Sequence, residues 1–183
     1  MFRVTFPKRY ADQVARLRVP SGFVLLAAFV WLAKPDLESL ARGMLISIFG
    51  LAIRAWAAGH LEKNMALAQS GPYAWVRNPL YLGTLTVAAG FVIAAQRWEL
   101  AVLFAAVFVL VYLPVVELEE QHLANLFPAF ADYKKRVPKL IPRMPRKPGT
   151  QPFRWSVYRR NEEYQALGGF LLGAAVLLWK ALR

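Results

Sequence analysis

Five apolar stretches, near residues 19–34, 40–59, 79–96, 98–118 and 164–181, alternate with polar segments along the chain. Each comes near the ~20 residues that a helix needs to cross a bilayer, the first being the shortest. The pattern predicts an all-α integral membrane bundle of about five transmembrane helices plus interfacial helices, in one domain over residues 1–183. Span 2 carries Gly43 and Gly50, small residues that let a neighbouring helix approach closely, and span 3 is interrupted by Gly83 and Gly90. Span 4 contains Pro114, which frees the carbonyl of Leu110 and is expected to bend the helix just before Glu117, Glu119 and Glu120. Span 5 contains Gly169-x-x-x-Gly173, a pattern suited to packing against another span or against a second copy in a homodimer.

The polar connections carry their own signals. Residues 1–18 hold five basic residues among Phe2, Phe6 and Tyr10, which reads as an interfacial segment on anionic lipid; a lid over a site is the unsupported alternative. Leu61–Gln69 is expected to form a short surface helix, and residues 121–136 an amphipathic interfacial helix with Leu123, Leu126, Phe127 and Phe130 toward the membrane. Five prolines between 138 and 152 predict an extended, irregular stretch within the basic connection 138–163. Phe153, Trp155 and Tyr158 beside Arg154, Arg159 and Arg160 read as an interfacial anchor ahead of the last span at 164–181.

Composition narrows the class. Hydrophobic residues make up 57% of the chain and mean hydropathy is +0.34, above the ~45–50% apolar content of soluble domains. There is no cysteine, hence no disulfide and no thiolate metal site, and the two histidines, His60 and His122, are too few for most His-based metal sites; no metal is expected. The basic, broken N-terminus does not have the apolar core of a cleavable signal peptide. The net charge of +12 raises nucleic acid as a partner, and its distribution argues against it. With the five spans above, 18 of the 23 Lys and Arg fall on the side of the N-terminus and of the 54–77 and 119–163 connections, and five on the other. That asymmetry is the positive-inside pattern, so the N-terminus is expected in the cytoplasm, with no nucleic-acid role and with membrane lipids as partners.

The most informative stretch is Ser70–Gly83, SGPYAWVRNPLYLG. Ser70-Gly71-Pro72 is turn chemistry, and Asn78-Pro79 reads as a helix start, with Asn78 as the N-cap and Pro79 at the first helical position. Its plain reading is a loop entering a membrane helix, whose free N–H groups at the surface also suit an anionic or polar ligand. Arg54, at the end of span 2, is expected to snorkel toward headgroups, and His60 to sit at the interface. Glu117 and Glu120 read as headgroup carboxylates paired with Lys134, Lys135 or Arg136.

This stretch resembles the signature GxYxxxRHPxYxG of the isoprenylcysteine carboxyl methyltransferase family and the related phospholipid methyltransferases. A second match follows in order: Glu119-Glu120-Gln121-His122-Leu123, then Phe127, then Tyr133-Lys134-Lys135-Arg136-Val137-Pro138, similar to the family's EExxL…F…YxxRVP ending. The resemblance covers roughly Arg54 to Pro142. It implies methyl transfer from S-adenosylmethionine to a lipophilic small-molecule or lipidated acceptor, at a cytoplasmic-facing site of an integral membrane enzyme. By the same resemblance the cofactor would be held by Tyr73, Asn78, Pro79, Leu80, Tyr81 and Glu119, and by Met65, Ala66, Leu67 and Ala68 from position alone. The acceptor would come in from the bilayer between spans 3 and 4, near Arg54, Tyr112 and Val115. No residue is assigned to catalysis, Arg77 and Glu120 being the candidates.

Two departures bear on the acceptor. Asn78 stands where the family commonly has His and does not titrate near neutral pH. Val115 stands where the eukaryotic prenylcysteine enzymes have an Arg, four residues before the first Glu. A prenylcysteine carboxylate is therefore one acceptor beside the amine of a phospholipid, and a non-catalytic membrane binding or assembly protein is the reading from another class. Transport is disfavoured, because the spans carry no mid-membrane charge pair.

Overall fold

Small residues that face one another decide where the helices close up. In the computed structural model, which describes residues 6–145, 149 and 151–183, α3 (Leu37–Ala58) and α4 (Pro79–Ala95) run antiparallel in direct contact. A Cβ added to Gly43 would lie 2.3 Å from the Gly90 carbonyl oxygen, and one added to Gly50 2.6 Å from the Val87 amide nitrogen. The hydroxyls on this seam turn onto backbone: Ser47 donates to Val87 O at 3.0 Å and Ser39 to Ala94 O at 3.1 Å. Close approach and hydroxyl-to-carbonyl bonds are what hold helices together where lipid removes the hydrophobic drive between them.

The start of α3 is fixed locally. Asp36 accepts the Ser39 amide at 2.7 Å while Ser39 accepts the Asp36 amide at 3.1 Å, a reciprocal cap. That bond to the Ser39 N–H holds the Asp36 carboxyl below the usual carboxylate range. α4 ends at Gln96, which takes a left-handed conformation (φ 52°) and donates to Asp36 at 2.6 Å.

Among the described residues there are no strands, and the architecture is the expected all-α membrane bundle. Among the described residues three helices are long and apolar enough to cross a bilayer: α3, the 29-residue run Trp98–Leu126, and α9 (Tyr164–Ala181). A fourth is reached if α1 (Lys8–Ala15) and α2 (Arg18–Leu32), bent by 56°, form one span. The expected count of about five thus falls to three or four by this measure, because α4 has only 17 residues. α9 packs on α4 where Gly173 receives the Phe91 ring, whereas Gly169 faces open space, so within the chain the small-residue pair is used at one end only.

The Trp98–Leu126 run changes character midway: α5 (Trp98–Val107), a π-helical turn (Phe108–Tyr112), then α6 (Leu113–Leu126). Pro114 leaves the helix continuous, and the π turn directly before it absorbs the lost backbone donor. The Leu110 carbonyl that Pro114 frees accepts the Tyr10 hydroxyl at 2.8 Å.

Three local expectations are corrected. Leu61–Gln69 is a chain of turns, with Asn64 at φ 59°, in place of a helix. Residues 121–136 form two pieces, because Pro128 holds Phe127 extended and α7 (Phe130–Arg136) starts afresh, with Phe130 buried. The N-terminal segment does more than lie on lipid. Among its described residues α1 packs on α6 and the π turn, burying Ala11 and Val14, while residues 1–5 lie outside the described part. The proline-rich stretch is irregular as expected through its described residues, before α8 (Trp155–Arg160).

Candidate functional site

At the N-terminal end of α4 the bundle opens into a cavity of about 1010 Å³ between α4, α6, the 61–68 loop and the start of α9. The Ser70–Pro72 turn stands behind one wall and carries Tyr73 into it. Gly71 is left-handed (φ 55°) and presses on the His60 ring, so close that an added Cβ would lie 2.7 Å from Nε2. His60 is correspondingly buried rather than interfacial; its Nδ1 lies 2.9 Å from Trp56 O and its ring packs on Phe153. The turn places Tyr73 in the interior, where its carbonyl accepts the Tyr133 hydroxyl at 2.8 Å. Burial is the main cause that pushes both phenols above their ordinary range, which keeps them protonated donors.

Arg77 and Glu120, the two catalytic candidates, are turned onto each other. The guanidinium reaches both carboxylate oxygens, at 2.8 and 3.3 Å, and their side chains are 8% and 5% exposed. Arg77 also donates to Val137 O at 2.6 Å and Lys134 O at 3.0 Å, and its amide to Pro138 O at 2.8 Å. Glu120 is therefore not a headgroup carboxylate; Lys134 approaches it only to 3.8 Å. Asn78 holds the expected N-cap position of α4, with Pro79 at the first helical position, but its side chain makes no cap bond and donates instead to Glu120 and to Lys139 O, both at 3.2 Å. Together these bonds lock the turn, α6 and the end of α7 into one unit. Glu117, expected beside Lys134–Arg136, instead pairs with Lys139 at 3.1 Å and accepts the Phe6 amide at 3.0 Å.

Glu119, one residue before the lock, faces the cavity and accepts the Tyr81 hydroxyl at 2.9 Å. Tyr81 meets the edge of Tyr112 at 6.4 Å between ring centroids, and Tyr112 stacks on Phe108 within the π turn. Arg54 does not snorkel: it pairs with Glu163 at 2.5 Å and donates to Leu80 O and Thr84 at the cavity floor.

The cavity wall thus brings together Ala66, Leu67, Ala68, Tyr73, Asn78, Leu80, Tyr81 and Glu119 with Arg54, Arg77, Tyr112, Val115 and Glu120. Two residues fall away from it: Met65 is 71% exposed, and Pro79 is buried in the first turn of α4. Glu163, Asn161 and Thr84 also line the cavity and carried no signal in the sequence. Asn161 donates at 2.8 Å to both Ala58 O and Leu61 O, tying the end of α8 to the end of α3. His122, already part of the second motif, lies on the rim 3.3 Å from Asn64 Oδ1. Among the described residues no three His, Asp or Glu side chains gather as a metal site.

The chain is 35% identical over 107 residues to the cobalt-zinc-cadmium resistance protein CzcN of Cupriavidus metallidurans, covering 57% of this chain and 50% of that protein. It is 29% identical over 143 residues to the nickel-cobalt-cadmium resistance protein NccN of Alcaligenes xylosoxydans xylosoxydans, covering 76% and 62%. The chain therefore spans about half to three fifths of the length of these relatives. No solved structure matches it significantly. Residues 41–129, which contain Arg77, the Tyr81–Glu119 pair and most of the α3–α4 seam, match the model of the phospholipid methyltransferase family.

Proposed function

We propose that this protein is a membrane methyltransferase that moves a methyl group from S-adenosylmethionine to a lipophilic acceptor at the membrane interface. The observation that carries the reading is the convergence of Tyr73, Asn78, Tyr81 and Glu119 on one cavity of about 1010 Å³. The donor set fits the cofactor: a carboxylate for its ammonium or sulfonium end, Tyr81 to orient that carboxylate, and apolar walls from Leu67, Leu80, Val115 and Leu123. Bound there, S-adenosylmethionine supplies an already activated methyl group. What remains for the chain is placement and the exclusion of water, which the closed turn and the Arg77–Glu120 lock serve.

At the acceptor side Val115 is buried and cannot bind a carboxylate, and Arg54, the nearest cation on the floor, is already held by Glu163. This supports an amine or another small hydrophobic nucleophile beside a prenylcysteine carboxylate. Counted with all five apolar stretches as spans, the charge asymmetry supports a site facing the cytoplasm. The relatives' names concern metal resistance and supply no acceptor. Titration of the purified protein with S-adenosylmethionine, followed by labelled methyl transfer to an amino-phospholipid and to a prenylcysteine analogue, tests the reading. Saturable binding with turnover of either acceptor supports it; binding without turnover favours the non-catalytic role, and no binding overturns it.

A further inference from the structure

The segment before the family-matched region carries two bonds to the site helix, two turns apart. Phe6 N donates to Glu117 at 3.0 Å and the Tyr10 hydroxyl to Leu110 O at 2.8 Å. Just after them Ala11 is 2% exposed and Val14 6%, and Ala15 reaches the wall of the main cavity. The acceptor of the Tyr10 bond is set by Pro114, which has no N–H to offer the carbonyl four residues back. The π turn just before it is a rare geometry, found mostly as single turns inside α-helices and often at functional sites. Its last residue is Tyr112, which lines the cavity and meets Tyr81, the donor to Glu119.

We propose that Tyr10 is a positioning residue. By capping the Leu110 carbonyl it holds the π turn in register, and the π turn sets the Tyr112 ring against Tyr81 on the acceptor side of the cavity. The role in the reaction rests on the methyltransferase reading; the brace itself does not. α1 is on this view part of the site, although it lies outside the region that marks the family.

The test compares the full chain with Tyr10→Phe, Pro114→Ala and the double variant, all purified in detergent. Tyr10→Phe removes one hydroxyl and leaves the packing of α1 intact. It is expected to raise hydrogen–deuterium exchange over residues 108–116 and to raise the acceptor KM about two- to tenfold, the size of one neutral hydrogen bond. Cofactor affinity and melting temperature are expected to stay as in the parent. Pro114→Ala gives Leu110 O a backbone donor, so on that background Tyr10→Phe should lose its effect on exchange. Unchanged exchange over 108–116 in Tyr10→Phe overturns the proposal, as does a rise spread over every helix with a lower melting temperature. If the parent binds no S-adenosylmethionine and turns over no acceptor, the methyltransferase reading fails, while the exchange comparison still decides the brace.

Discussion

Along the seam, α4 meets α3 through Gly83, Val87, Gly90 and Ala94, with no room for an added methyl group. Around the cavity, the start of the same helix is linked to α6 through Asn78, Tyr81, Glu119 and Glu120, with open space between. The seam is held by contact, which works at any point along two small-residue faces and has no preferred occupant. The cavity is held by directed bonds, which fix side chains at a distance and leave volume free. One helix thus carries a scaffold at one end and an adjustable wall at the other, and the two should fail differently when perturbed.

The largest effect should come from the lock. Glu120→Ala leaves the Arg77 guanidinium buried without its carboxylate, and the expected loss of stability is about 3–5 kcal/mol, read by denaturant or thermal unfolding in detergent. A loss near that of an exposed pair would put Glu120 back among the headgroups. Glu119→Gln should instead leave folding intact and weaken S-adenosylmethionine binding by about 1.5–3 kcal/mol, roughly ten- to a hundredfold by titration, while Glu117→Gln should not. Equal small effects at both positions would remove Glu119 from the site.

On the seam, Gly90→Val forces a Cβ to within 2.2 Å of Ser47 Oγ and 2.3 Å of Gly43 O, at an expected cost of about 1–3 kcal/mol. Gly169→Val, in open space, is the control and should melt as the parent does. The comparison breaks if the two variants melt alike. The smallest effect is expected from Tyr81→Phe, which frees Glu119 from its orienting hydroxyl: about 0.5–1.5 kcal/mol in cofactor affinity with stability retained.

Much of this arrangement is legible in the chain because it is written in local spacing. Gly43 and Gly50 announce a close helix contact, and the stretch from Ser70 to Gly83 announces the turn that carries Tyr73 into the cavity wall. What the spacing does not carry is partner choice across long separations. Arg54 has a partner in Glu163, 109 positions away, and a charged residue at a helix end looks the same whether it snorkels or pairs. Asn78 fits both a cap and a side-chain bridge; only the arrival of Glu120 and Lys139 O decides for the bridge. Arg77 and Glu120 have the residue types of catalysts, and their mutual burial shows that their polar atoms are committed to each other. The break at Phe127 was readable from Pro128, and the amphipathic pattern running across it masked the signal.

The lengths of two neighbouring helices have a consequence for the bilayer itself. α4, with 17 residues, is about 25 Å long, whereas the Trp98–Leu126 run, with 29, is about 44 Å long, against a hydrocarbon thickness of ~30 Å. A bilayer meets a helix shorter than its hydrocarbon layer by thinning or by snorkelling of the flanking residues, and meets a longer one by tilting it. Either response brings the ends of α4 close to headgroup depth, and the longer run carries Glu117, Glu119 and Glu120 toward its own C-terminal end. The cavity opens at the N-terminal end of α4, so the local thickness of the bilayer sets the depth at which the site lies.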